Sequence, residues 1–219
     1  IKELKMEMPF TTEQFLSVFK SYNLTVWPAQ YILLILAILS IYLAVYKTKY
    51  SNKIILAVLV FYWFWMGIVY HFIFFTTINP LAYFFAGLFI LQGVLVYFFG
   101  FVRDELHFKY ENNTKGVTAI ILFLYALIFY PLLGYALGHN YPGTPTFGLP
   151  CPTTIFTFGL LLLLEGKVNK ILFVVPMLWS LIGFTAALKF GILQDIGLLV
   201  SSILTLVVIS FSGKTKRGM

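Results

Sequence analysis

The sequence predicts an all-α, polytopic transmembrane helical bundle of about seven spans with an N-terminal amphipathic interfacial helix. Three observations lead there. Hydrophobic residues make up 60% of 219 positions and charged residues only 11%, with a mean hydropathy of +0.92. Soluble domains carry about 25% charged residues. Apolar runs near the roughly 20 residues that cross a bilayer's hydrocarbon core recur along the whole chain. The basic residues sit in short connections beside those runs rather than in a patch of their own.

The expected spans are 25–46, 54–76, 80–101, 116–138, 152–166, 170–189 and 194–212. The fifth is short and begins at a proline, so it is expected to tilt or to follow a re-entrant stretch. Ahead of the first, Thr11 and Gln14 fit a capping box, and Phe15, Val18, Phe19 and Tyr22 share one helical face. Such a helix lies in the membrane interface. Trp27 is a candidate interfacial anchor, and Pro28 suits a first helical turn. The chain thus divides into a tail with its interfacial helix (1–23), a seven-helix membrane domain (24–212) and a basic cytoplasmic tail (213–219). Residues 1–23 hold Glu3, Glu7 and Glu13 and no long apolar core, unlike a cleavable signal peptide. The first residue is Ile1, which suggests a processed, tagged or incomplete start, with Met6 or Met8 as biological starts.

A net charge of +7 would point to nucleic acid in a soluble protein. Beside apolar spans it instead sets orientation and meets anionic lipid, so no nucleic acid is expected as a partner. On the predicted topology one side holds Lys47, Lys49, Lys53, Arg103, Lys109, Lys115, Lys167, Lys170, Lys214, Lys216 and Arg217. The other holds Lys2, Lys5, Lys20 and Lys189. The positive-inside rule then predicts a multi-pass protein of the cell inner membrane, with the N-terminus outside and the C-terminus cytoplasmic. Gly134 and Gly138 form a GxxxG pair, read as a site of close helix packing.

The chemistry gathers on the side poor in lysine and arginine. Residues 138–154 hold four prolines and three glycines among aromatic and aliphatic residues, too broken for a helix and too apolar for a free loop. Such backbone survives at membrane depth only when buried in protein or lining a wet cavity. His71 falls near the outer end of the second span, where a histidine faces the interior and needs a partner. Asn79 precedes Pro80 and can cap the third span. Lys189 and Asp195 flank the last outer turn, as an ion pair or as the border of a polar cavity. His107 and Glu165 fall on the basic side and read as solvated. His71, Asn79, His139, Tyr141, Cys151, Lys189 and Asp195 are therefore the candidate ligand-binding residues. His71, His139 and Cys151 could also offer nitrogen and thiolate to a soft metal, although no tight ligand spacing supports it. No cofactor is indicated, and one cysteine excludes an internal disulfide.

Tyr70-His71-Phe72 running into Ile78-Asn79-Pro80, and Gly138-His139 through Tyr141-Pro142 to Pro150-Cys151-Pro152-Thr153-Thr154, resemble a bacterial multi-span membrane-protein family catalogued as a domain of unknown function. The stretches Pro9–Phe15, Trp27–Gln30, Leu178–Gly183 and Asp195–Leu199 are similar to it too. The resemblance implies a bacterial membrane protein and brings no activity with it. The leading expectation is an integral membrane protein with an outward-facing polar pocket that binds or transports a small solute or ion. One alternative is a non-catalytic subunit packed among other membrane subunits. The other is an intramembrane metal-dependent enzyme. Enzymatic activity is the less favoured reading.

Overall fold

A computed structural model describes residues 9–166 and 169–215, with the backbone only for 212–215. Lys2, Lys5, Lys167, Lys216 and Arg217 lie outside the described residues, as does the side chain of Lys214. Helix α1 spans Thr12–Thr25, α2 Ala29–Val45 and α3 Ser51–Trp65, the last continuing through a π-helical stretch at Met66–Phe74 to Thr77. Helix α4 (Ala82–Tyr97) ends in a π-helical turn at Phe98–Val102. A third π-helical turn at Tyr125–Phe129 joins α5 (Thr114–Leu124) to α6 (Tyr130–Ala136). Helices α7 (Pro150–Leu162), α8 (Val174–Phe190) and α9 (Ile196–Thr215) complete the chain. The described chain is helical, and its bridges at Phe108–Leu164 and Phe147–Leu149 are isolated pairs.

Each expected span meets a helix, but not all are long enough to cross. Ser51–Thr77, Ala82–Val102, Thr114–Ala136, Lys170–Phe190 and Leu193–Phe211 have the length and hydropathy of membrane spans. Helix α2 has 17 residues and qualifies only together with α1, from which it is bent by 84°. The bend falls at Val26–Pro28, and Gln30 Nε2 secures it by donating to the Asn23 carbonyl at 2.8 Å.

The expected capping box opens α1: Thr11 N–H donates to Gln14 Oε1 at 2.8 Å, and Gln14 N–H to Thr11 Oγ1 at 3.2 Å. The apolar face of α1 turns onto the bundle. Phe15, Phe19 and Tyr22 are buried with Tyr70, Phe75 and Phe190, and Trp65 Nε1 donates to Tyr22 Oη at 2.8 Å.

Helix α7, the short fifth segment, is the central one. Every residue from Pro152 to Leu164 is buried, as expected of a helix apolar all round. At 1.5 Å per residue it is about 20 Å long, some two thirds of a bilayer core of about 30 Å. Its C-terminal end is tied to the basic end of the bundle. There Lys109 N–H donates to the Leu163 carbonyl and Glu165 N–H to the His107 carbonyl, both at 2.9 Å. Its first turn therefore starts inside the bundle, and residues 139–149 descend to meet it. Phe147 packs edge-on to Tyr62 and Phe156 at ring distances of 5.6 and 5.5 Å. Gly148 N–H donates to Thr153 Oγ1 at 3.0 Å.

Three local expectations change. Gly134 and Gly138 do not form a helix–helix seam: a Cβ on Gly134 would meet Gln194 Nε2 and Thr144 Oγ1 at 3.2 Å, whereas Gly138 ends its helix at φ +87° with open space around it. Glu165 is not simply solvated, because Lys47 Nζ donates to its carboxylate at 2.7 Å. Nor is His107, whose Nδ1 lies 2.9 Å from Asn52 Nδ2.

Candidate functional site

The end of the bundle opposite the Lys47–Glu165 pair holds a cavity of about 120 Å³. Phe15 and Phe19 of α1 and Trp179 and Phe190 of α8 line it, and Cys151 and Asp195 bring sulfur and carboxyl to it. Two of the π-helical turns place side chains here. Each such turn shifts the register of the helical residues after it, and π-helical turns are frequent at functional sites. The first carries Tyr70 onto the cavity wall. The third, Tyr125–Phe129, directly precedes Tyr130, which is buried and donates its hydroxyl to Asp195 Oδ1.

Asp195 is only 3% exposed and closes a single turn of 3₁₀ helix before α9. Its hydrogen-bond partner is the Tyr130 hydroxyl, and Cys151 lines the same cavity. Cys151 also faces Trp179. The indole nitrogen of Trp179 is buried and lacks a hydrogen-bond partner of good geometry. Next to Asp195, Tyr125 Oη donates to the Gln194 carbonyl at 2.7 Å, while both polar atoms of the buried Gln194 side chain have no partner.

The candidate residues divide. Asn79, Cys151 and Asp195 line the same cavity. Asn79 also serves the start of α4, its Oδ1 accepting from Leu81 N–H at 3.1 Å. His71 stands one layer behind the wall, fully buried among the rings of Phe89 at 4.5 Å and of Tyr70 and Trp179 at 5.0 Å. Neither of its nitrogens has a hydrogen-bond partner among the described residues, so the partner expected for it is not found there. His139 and Tyr141 sit on the loop rather than on the cavity wall. Tyr141 is exposed, with its hydroxyl 3.4 Å from the Asn23 carbonyl. Lys189 is exposed on α8, and the carboxylate expected beside it is held by Tyr130. Among the described residues, no three His, Cys, Asp or Glu side chains are grouped to hold a metal ion, so His71, His139 and Cys151 do not form one.

Tyr70, Tyr130 and Trp179 do not stand out in the sequence as candidates, nor does Asn23. The first three belong to aromatic runs that look like core. Asn23 is buried and binds the descending loop, its Nδ2 donating to the Pro142 carbonyl at 2.7 Å and the Thr144 carbonyl at 2.8 Å. Only a polar residue at the end of the amphipathic face of α1 hints at it.

Long apolar helices around a fully enclosed central one define a multi-pass integral membrane protein. The model of a family of unknown function, DUF6064, matches residues 12–217, and the chain belongs to that family. No curated protein and no solved structure matches it.

Proposed function

We propose that this membrane protein binds a small solute in the cavity at the Asp195 end of the bundle. One observation carries the reading: a buried carboxyl group borders a space walled almost wholly by apolar and aromatic side chains. A few placed polar groups in an apolar pocket are the usual composition of a small-molecule site. An ionisable side chain within a span is costly unless it serves a partner, water or ligand.

The cavity faces the cell exterior, and the bilayer is the inner membrane of a bacterium. In support, Lys47, Lys49, Arg103 and Lys109 belong to connections at the opposite end, and Lys115 to the first turn of α5 there. Binding precedes any transport in this reading, since the buried helix α7 fills the space between the cavity and the basic end.

Cys151 is the chain's one cysteine and lines the cavity, so it reports on access. Methyl methanethiosulfonate, a thiol reagent small enough for this volume, should modify it in the folded, detergent-purified protein. Ala186→Phe, which places a ring in the same space, should slow modification at least tenfold. A thiol that reacts only after unfolding, or at the same rate in the filled variant, would show that no solute reaches this space.

A further inference from the structure

The ligand chemistry can be narrowed, given the cavity reading above. We propose that the cavity takes a small organic ammonium ion, a protonated amine or quaternary ammonium, with Asp195 as its counter-ion.

The first argument is charge. Asp195 is nearly fully buried, and among the described residues its hydrogen-bond partner is a hydroxyl and no ion pair reaches it from a basic side chain. Tyr130 donates to one carboxyl oxygen, which leaves the group acting as an acceptor. A carboxylate in a low-dielectric interior needs a cation as well as hydrogen bonds. Among the described residues that line the cavity there is no lysine, arginine or histidine. The position for that cation is the space in front of Asp195.

The second argument is the wall. Tyr70, Phe75, Phe85 and Trp179 line this space, as do Phe15 and Phe190, whose rings are 4.7 Å apart. Aromatic faces attract alkylammonium groups through the ring quadrupole, and desolvation strengthens the attraction. Among the described residues, a metal ion would find one carboxylate and one thiol here, with the Asn79 amide and Tyr70 hydroxyl as weak neutral ligands, too few strong donors to replace its water shell. An anion would meet the Asp195 charge.

The third argument is size. A cavity of about 150 Å³ holds benzene, with its six heavy atoms. The volume here is about 120 Å³. It fits an occupant of about five or six heavy atoms by that comparison. Tetramethylammonium is of this size, and neopentyl alcohol is close to its neutral counterpart.

The whole chain, purified in detergent, would be melted with tetramethylammonium chloride, with sodium chloride at equal ionic strength, and with neopentyl alcohol. Tetramethylammonium should raise the melting temperature saturably above the sodium control, and neopentyl alcohol should not. Tetramethylammonium should also slow methanethiosulfonate modification of Cys151 several-fold in the unaltered protein, a readout that needs no variant. Asp195→Asn should abolish both effects. Equal protection by the neutral alcohol would overturn the charge argument and leave the small-solute cavity standing. Retention of the tetramethylammonium effect in Asp195→Asn would overturn it as well. If neither compound shifts melting or labelling, the ammonium proposal fails, while the filled-cavity comparison judges the cavity separately.

Discussion

The hydroxyl of Thr146 donates to Asn23 Oδ1 at 2.7 Å, joining residues 123 positions apart. Together with the two carbonyls that accept from Asn23 Nδ2, this contact makes one buried side chain the anchor of the whole descending loop. The loop in turn sets where α7 begins, and so where Cys151 meets the cavity.

Asn23→Ala should therefore loosen residues 139–149. The substitution strands two carbonyls and a hydroxyl, and an unsatisfied buried polar group costs about 1–3 kcal/mol. With some of them regaining water, a loss on the order of 3 kcal/mol is expected. Thermal melting and limited proteolysis in detergent would read it. An unchanged melting temperature with a protease-resistant loop would mean that other contacts hold this segment.

At Gly148 the backbone has φ +99°, and a Cβ would collide with Leu33 Cδ1 and lie 3.3 Å from Tyr22 Oη. Gly148→Ala should destabilise by about 1–3 kcal/mol, as a residue forced into a glycine-only conformation does. Gly143→Ala is the control, because its Cβ would meet nothing closer than the Asn140 carbonyl oxygen at 3.6 Å. Equal melting temperatures for the two variants would contradict this account.

His71 offers a different kind of test. Both ring nitrogens are buried without partners amid aromatic rings. Replacing an unsatisfied polar group by an apolar one of similar shape is neutral or stabilising. His71→Phe should leave the melting temperature unchanged or raise it. A drop of several degrees would reveal that a water or ligand completes the histidine in the working protein.

The two ends of the bundle make opposite predictions for labelling. In a Cys151→Ser background, Gly143→Cys should react with a membrane-impermeant maleimide on intact cells, and Asn112→Cys should react only after permeabilisation. The reverse pattern would place the cavity on the cytoplasmic side.

At the basic end, the hydrogen bond from Lys47 holds the Glu165 carboxyl below its ordinary range, with the Lys47 charge adding to it and slight burial opposing. A depressed carboxyl contributes stability above its unfolded pKa and loses it as pH falls through the folded value. Both side chains are more than a third exposed, so the pair is worth under about 1 kcal/mol. Lys47→Ala should lower the melting temperature slightly at pH 7, and the difference should shrink as the pH falls and the Glu165 carboxyl takes up its proton. A gap that widens in acid would reverse the sign of this argument.

Much of the fold was legible because lipid imposes a simple rule. A backbone in hydrocarbon must satisfy its own hydrogen bonds, so long apolar runs become helices and short polar stretches become connections. The capping box of Thr11 and Gln14 was legible for the same local reason, since its partners are three residues apart. Hydropathy could not distinguish a helix facing lipid from one facing protein, because both are apolar. The sequence therefore could not reveal that α7 is the enclosed helix, nor that α2 is too short to stand alone.

The site was only partly legible. Asp195, Cys151 and Asn79 stood out because polar atoms are rare in spans, and they do share one cavity. Lys189 and His139 stood out for the same reason but lie elsewhere, since rarity says nothing about direction around a helix axis. Tyr70 and Tyr130 were hidden because their rings resemble core, and π-helical turns rather than an α-helical register aim them. By itself the sequence determined the helices, their order and the end of the bundle where polar chemistry collects, because local periodicity and burial in lipid act residue by residue. Only the tertiary structure decided that Tyr130 meets Asp195 and that Cys151 and the α1 phenylalanines share its cavity, because a contact across the chain depends on how helices pack and how far each has turned.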